Sequence, residues 1–206
     1  MSGVESYNGG AVVAMVGNGC VAIACDKRLG LNQQHTITSS FPKAFKITDN
    51  VYFAACGLAT DVQTMKAEVE FKTNMYELRC ESKMGVKTLA NMVSSMLYSR
   101  RFSPWFLSSV VAGLDKNNDP HVFCFDLIGA PCNAKDFVVA GTSHEQLFGI
   151  CESLYRPNME PEELFETVSQ CLMAAVDRDC LAGWGAEVHL ITPDKITVST
   201  LKTRMD

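Results

Sequence analysis

Two hydrophobic patterns alternate along this 206-residue chain. Short apolar runs bounded by Gly, Asn, Asp or Pro predict strands, and apolar residues at helical spacing predict helices. The first two runs, Ala11–Val16 and Cys20–Cys25, flank Gly17-Asn18-Gly19, a turn sequence that tolerates positive φ. Since neither run alternates with polar residues, the pattern predicts a hairpin of two strands buried on both faces.

The same patterns predict the remaining elements, and Leu31–Ser40 is polar enough to be a loop or an irregular strand. Ser143 with Gln146 is a capping-box pattern that marks one helix start. Further strands are predicted at Ala44–Thr48, Val51–Cys56, Ser109–Leu114, His121–Ile128, Asp136–Ala140, Ala186–Thr192 and Ile196–Leu201, and helices from Thr60 to about Glu81, from Gly85 to Arg101, from Ser143 through Leu154 and from Pro161 to about Arg178.

This order of elements is strands, two helices, strands, two helices, strands. Strands too apolar to face water need cover on both sides, and the helices come in two pairs. The sequence therefore predicts an α+β fold: one domain over residues 1–206, built as a four-layer α/β/β/α sandwich of two mainly antiparallel sheets covered by helices.

Composition limits the function classes. The formal net charge is −5 and no basic block occurs, which argues against nucleic acid as a partner. No apolar run approaches the roughly 20 residues that span a bilayer, so no membrane partner is expected. The first residues lack the basic and apolar regions of a signal peptide, so we expect the protein to work inside the cell.

The nine cysteines are better explained as core residues than as a site. Their number is odd, no CxxC pair occurs, and most lie in apolar runs, where a free thiol behaves as a small hydrophobic group. We therefore expect neither a disulfide framework nor a metal, and no phosphate-loop or dinucleotide motif predicts a cofactor. The cysteines are Cys20, Cys25, Cys56, Cys80, Cys124, Cys132, Cys151, Cys171 and Cys180.

The segment from Gly9-Gly10 through the first hairpin to Asp26-Lys27-Arg28 resembles the opening of the proteasome beta subunits, a branch of the N-terminal nucleophile hydrolases. The resemblance implies the same four-layer sandwich. In active members the chain is cut after a glycine, and the freed threonine is both nucleophile and, through its amine, general base. Counting back from Asp26 without gaps places Gly10 at the threonine position, so the nucleophile is missing.

The resemblance covers the whole chain, so the other catalytic positions can be compared one by one. Asp26 matches the family, and Lys43 stands where active members keep a lysine. Thr142 replaces a serine, Asp179 matches the second aspartate, and Ala182 replaces another serine. We expect a degenerate site in which the surviving polar residues have a structural role. Asp26 beside Arg28, and Arg178 beside Asp179, are candidates for ion pairs or turn caps.

Several further segments are similar to the non-catalytic members of the eukaryotic beta ring, among them Gly57–Val62, Tyr98–Phe102, Phe125–Gly129 and Gly149–Tyr155. This implies a structural subunit in a ring of seven different beta subunits, in contact with the opposite beta ring and an alpha ring, in cytoplasm and nucleus. It also implies an uncleaved tail, residues 1–9. Asp126 is expected either to help form the substrate pocket of a neighbouring trypsin-like subunit or only to cap a turn.

Two other function classes stay open. Removal of Met1 would give Ser2 a free amine, so an active peptidase that uses Ser2 is the alternative. A different triad would have to use His35, His121, His144 or His189, but none accompanies a known nucleophile motif. A free-standing binding module would need a ligand motif, and the sequence contains none.

Overall fold

The computed structural model describes residues 3–205, and over them the chain forms twelve strands and four helices. The first half contains β1 (Ala11–Val16), β2 (Val21–Asp26), β3 (Leu29–Leu31), β4 (His35–Thr38), β5 (Ala44–Thr48), β6 (Val51–Gly57), α1 (Ala59–Cys80) and α2 (Val86–Ser99). The second half contains β7 (Leu107–Leu114), β8 (Pro120–Phe125), β9 (Pro131–Ala134), β10 (Phe137–Gly141), α3 (His144–Leu154), α4 (Pro161–Val176), β11 (Ala186–Ile191) and β12 (Ile196–Leu201).

The strands form two antiparallel five-stranded sheets and a small ribbon. The first sheet has the order β10-β1-β2-β11-β12, the second has the order β5-β6-β7-β8-β9, and β3 pairs only with β4. In the first sheet Val12 lies opposite both Cys25 of β2 and Ala140 of β10. The first hairpin thus lies inside its sheet, which explains why its sequence lacks polar alternation.

Three hydrophobic cores separate four layers, which confirms the predicted α/β/β/α sandwich. Along β1, Val13 and Met15 face the core under α3 and α4, while Val12 and Ala14 face the core between the sheets. The third core lies between the second sheet and α1 and α2, around Phe53. Successive side chains of a strand point to opposite faces, so β1 contributes to two cores at once.

The segment 31–40 contributes to a short ribbon of irregular register, in agreement with one of its two sequence interpretations. Three other details differ from the sequence prediction. β9 was not predicted, because its exposed residues do not alternate. The strand predicted over His121–Ile128 ends at Phe125, where the Asp126 side chain accepts backbone N–H groups and turns the chain. Ser143 does precede α3, but its hydroxyl forms no cap and bonds elsewhere.

Candidate functional site

Gly10 lies immediately before β1, at the inner end of a cleft between the two sheets. It is buried and its φ of +151° is a conformation that favours glycine. A Cβ built there would be 2.9 Å from Cys56 Cβ and 3.0 Å from Lys43 Nζ. The place of the missing side chain is thus already occupied by neighbours.

Asp26 and Lys43 form a completely buried ion pair beside Gly10. The Lys43 ammonium lies 2.6 Å from Asp26 Oδ1, and the two residues are 3% and 0% exposed. The carboxylate also accepts N–H groups from Ala11 at 2.8 Å, Gly183 at 3.1 Å and Arg28 at 3.2 Å. A buried charge needs such partners, and here they connect β1, β2 and the loop before β11.

Arg28 corrects one interpretation of the sequence, because its side chain does not pair with Asp26. The guanidinium is buried and donates to the carbonyl oxygen of Leu181 at 2.8 Å and to the Thr36 hydroxyl at 3.0 Å. It also donates to the carbonyls of Asn32 and His35. Arg28 therefore connects the β3–β4 ribbon to the loop that carries Asp179, a role that the sequence alone did not indicate.

Asp179 accepts hydrogen bonds from two hydroxyl groups on the other side of Gly10. Its Oδ2 accepts from Thr142 Oγ1 at 2.6 Å and from Ser143 Oγ at 2.5 Å, and its Oδ1 accepts from Leu181 N at 2.9 Å. The turn-cap interpretation of Asp179 is therefore confirmed. Arg178 is exposed, and no ion pair joins it to Asp179 within the described part of the chain.

Thr142 links this network to Gly10. The Gly10 carbonyl accepts the Thr142 N–H at 2.8 Å, and Gly10 N lies 3.4 Å from Thr142 Oγ1. Since the hydroxyl has one proton and donates it to Asp179, Oγ1 acts as an acceptor toward Gly10 N. Ala182 does not belong to the network: it is 5% exposed and packs in the core under α3 and α4.

The structure therefore brings together five of the six predicted positions around Gly10, which has no hydroxyl group. Gly10 N is an amide in the continuous chain, so it cannot act as a base, and the hydroxyl groups of Thr142 and Ser143 already donate to a carboxylate. Lys43 and Asp26 neutralise each other, whereas the Asp179 carboxylate is stabilised by two hydroxyl groups and one backbone N–H. Sequence reasoning did not place Ser143 or the neighbouring Cys56 at the site, since Ser143 was interpreted as a helix cap and Cys56 carries no motif.

The segment before Gly10 is fixed by hydrogen bonds rather than displaced from the site. Asn8 is buried, donates to the Gly30 carbonyl at 2.9 Å and accepts from Ala59 N at 2.9 Å. Tyr7 O accepts from Asn32 N at 2.8 Å. At Gly9, φ is +69° and a Cβ would lie 2.5 Å from Leu181 O, so only glycine fits. Ser2, the alternative nucleophile, lies outside the described residues.

The cleft beside Gly10 has a volume of about 750 Å³. Its walls include Gly10, Thr142 and Asp179 at one end and Asp126 and Cys132 at the other. The exposed Asp126 accepts from Ala130 N at 2.7 Å and from Ile128 N at 3.1 Å, both through Oδ1. Asp126 therefore caps its own turn, as one of the two sequence interpretations required.

The described residues contain neither a metal-ion cluster nor a membrane-spanning helix. No group of three or more His, Cys, Asp or Glu side chains is arranged to hold a metal ion within residues 3–205. Across the same residues, every helix is too short or too polar for a bilayer crossing. Five of the nine cysteines are buried, in agreement with the core interpretation for most of them.

Known proteins of one family are similar to this chain over almost its whole length. The profile of the family described as "Proteasome subunit" matches residues 6–191. The rice (Oryza sativa subsp. japonica) protein named proteasome subunit beta type-3 is 52% identical over 203 residues, covering 98% of this chain and 99% of the relative. The Saccharomyces cerevisiae protein of the same name is 51% identical over 207 residues, covering both chains completely. The chain therefore belongs to the proteasome subunit family.

Proposed function

We propose that this chain is a non-catalytic, structural beta subunit of the 20S proteasome core. Its place is in a ring of seven different beta subunits, between two beta neighbours, an alpha ring and the opposite beta ring. In this role it serves ATP- and ubiquitin-dependent protein degradation in cytoplasm and nucleus without cleaving peptides itself. The beta type-3 relatives, which match over almost their whole length, support the proposal.

One observation carries the non-catalytic part of the proposal: the space of a side chain at Gly10 is filled. The Lys43 ammonium, bound to Asp26 at 2.6 Å, lies 3.0 Å from the place of a Gly10 Cβ, and Cys56 Cβ closes the other side at 2.9 Å. Helpers without a group to activate contribute nothing to nucleophilic catalysis. The residues at this site therefore stabilise the junction of β1, β2 and the 179–185 loop.

The second part of the proposal is that residues 1–9 stay attached. Asn8 connects the tail to Gly30 and Ala59, and both contacts are buried or half-buried. Hydrolysis of the Gly9–Gly10 bond would leave these contacts without a covalent connection to β1.

The test is the intact mass and the N-terminal sequence of this chain, taken from the native particle with which it purifies. The proposal predicts residues 1–206, allowing for removal of Met1 and for acetylation, inside a particle of many subunits. An acetylated Ser2 would also exclude the peptidase alternative. Cleavage after Gly9, or a monomer with peptidase activity that is lost in Ser2→Ala, would contradict it.

A further role concerns Asp126 and a neighbouring active subunit. The carboxylate lies at the cleft rim, is exposed, and is fixed by two N–H groups of its own turn. We propose that it contributes negative charge to the substrate pocket of an adjacent trypsin-like subunit. A fixed acidic group attracts basic side chains, and exposed pairs of this kind contribute up to about 1 kcal/mol.

Asp126→Asn separates this role from the turn cap. The amide oxygen keeps the acceptor for Ile128 and Ala130, but the charge is lost. We expect kcat/KM of the particle for substrates cleaved after basic residues to fall about two- to fivefold. Asp115→Asn is the matched control, because Asp115 caps another turn through the N–H groups of Asn117 and Asp119. Equal effects of the two variants would reject the role in the pocket.

A further inference from the structure

Cys124 and Cys132 stand directly opposite each other on neighbouring antiparallel strands. They are Cα partners in the pairing of β8 with β9. Directly opposite residues have Cα atoms about 4.5 or about 5.5 Å apart, depending on the pair type. Both separations lie within the range of about 4.4–6.8 Å that a disulfide requires. No movement of the strands is needed to bring the two sulfur atoms together.

The two thiols differ in exposure, and both border the cleft. Cys132 is exposed on the edge strand, whereas Cys124 is half-buried and packs against the core between the sheets. The closeness of the side chains is evident in the acidity of Cys124, whose pKa is raised to about 11 by burial first, and then by the charge of Cys132 and a hydrogen bond with it. A reagent in solution therefore meets Cys132 first.

We propose that Cys124 and Cys132 form a reversible dithiol–disulfide site that reacts with small-molecule disulfides of the glutathione type. Cys132 is the attacking thiol and Cys124 is the resolving thiol. The inference does not rest on the proposed function, because it concerns only the geometry of this chain.

The reaction proceeds by two exchanges. The Cys132 thiolate attacks one sulfur of glutathione disulfide, forms a mixed disulfide and releases a glutathione thiolate, which takes up the proton lost by Cys132. The Cys124 thiolate then attacks the Cys132 sulfur and releases the second glutathione with the proton of Cys124. The protein loses two electrons, and glutathione disulfide gains them as two thiols.

The pair also satisfies the requirement for a resolving step. After the first exchange Cys132 bears no charge, so its contribution to the raised pKa of Cys124 disappears. The sulfur that Cys124 must attack is held on the adjacent strand, which gives the second step the advantage of an intramolecular reaction. The new bond would close a ring around the 126–130 turn and tie the edge strand β9 to β8.

The chain contains a natural comparison. Cys151 of α3 and Cys171 of α4 also lie in contact: hydrogen bonding between them and burial raise the pKa of Cys151. Both residues are 0% exposed. Solution reagents cannot reach this pair in the folded state, so adjacency without access is expected to give no oxidation. Cys80 and Cys180 provide the opposite comparison, because their thiols are exposed to solution reagents but lie outside the strands.

The experiment uses the full chain in the assembly with which it purifies. The sample is equilibrated with glutathione disulfide, denatured, alkylated and digested with trypsin. Residues 117–135 form one tryptic peptide that contains Cys124 and Cys132 and no other cysteine. We expect this peptide to become two hydrogens lighter and to lose both alkyl groups, and dithiothreitol to reverse the change. Cys151 and Cys171 stay alkylated.

Two variants separate the roles of the thiols. In Cys124→Ser, the peptide is expected to stop at one bound glutathione on Cys132. In Cys132→Ser, Cys124 is expected to react at least tenfold more slowly than Cys132 does, because it is half-buried and mostly protonated at neutral pH. The proposal is overturned if the wild type also stops at one bound glutathione, or if both thiols stay alkylated while Cys80 or Cys180 has reacted.

Discussion

The buried Asp26–Lys43 pair allows a quantitative prediction of how much this site contributes to stability. If the pair is structural, replacing Lys43 with Met, a residue of similar length without charge, destabilises the junction beside Gly10. Removal of one partner of a buried ion pair costs about 3–5 kcal/mol. The Asp26 carboxylate keeps three backbone donors in Lys43→Met, so we expect the lower end, about 3 kcal/mol.

Asp26→Asn is expected to cost more, about 5 kcal/mol. Each carboxylate oxygen accepts two donors: Oδ1 from Lys43 and Ala11, and Oδ2 from Arg28 and Gly183. An amide presents N–H groups on one side, so two donors lose their acceptor, and the ammonium stays buried without a counter-charge. The double variant should lose less than the sum, because it leaves no unpaired charge.

Native-state hydrogen exchange on the assembled particle measures this loss locally, at peptides containing Ala11 and Gly183. A loss of about 3 kcal/mol accelerates exchange there about a hundredfold. Lys66→Met is the control: Lys66 pairs with Glu70 at 2.7 Å, but both side chains are more than one-third exposed. It should cost less than about 0.5 kcal/mol. Equal effects of Lys43→Met and Lys66→Met, or a smaller loss in Asp26→Asn than in Lys43→Met, would refute the reasoning.

Two further predictions concern the sheet that contains β1 and β11. Gly10→Thr should create no peptidase activity and should lower the free energy of unfolding by about 1–3 kcal/mol, because its Cβ would lie 2.9 Å from Cys56 Cβ at a φ unsuited to threonine. A Gly10→Thr particle that hydrolyses peptides faster than the wild-type particle would contradict this prediction. Burial lowers the pKa of His189 from its usual 6.5, with the Glu187 carboxylate 3.4 Å away opposing the shift and the Tyr52 ring packed at 4.8 Å. Below about pH 6.5 the unfolded chain therefore binds a proton at residue 189 that the folded protein does not bind as readily. The free energy of unfolding of the wild type should fall more steeply below that pH than that of His189→Leu, by at most about 1.4 kcal/mol per pH unit. Parallel profiles of melting temperature against pH for the two proteins would contradict this prediction.

The sequence predicted the layers because hydrophobic periodicity is local. The apolar runs of β1 and β2 and the spacing along α4 hold their information within a few residues, and the turn residues between them mark the ends. β9 was not predicted because the sequence of an exposed edge strand with a proline and no alternating pattern resembles that of a loop. Its pairing with β8 exists only because the Asp126 turn brings it back.

The site could be predicted position by position only because a family resemblance supplied the positions. That residue 10 is a glycine without a hydroxyl group is visible in the sequence, but its correspondence to a threonine position depends on the resemblance. That Lys43 rather than Arg28 pairs with Asp26 could not be predicted, since hydrogen bonds between distant segments depend on tertiary packing. The same is true of Ser143, whose hydroxyl left the expected helix cap for Asp179.

The sequence by itself determined the helices, most of the strands and the absence of a hydroxyl group at Gly10, because these depend on side-chain chemistry and on spacing along the chain. Only the tertiary structure decided what fills the vacant position, which charges neutralise each other, and that Cys124 faces Cys132 across two strands. These are relations between segments far apart in sequence or joined by a turn of unknown register. A shift of one residue in a strand pairing would move each side chain to the opposite face, and the register is set by the turn geometry together with the burial of one face in the folded protein.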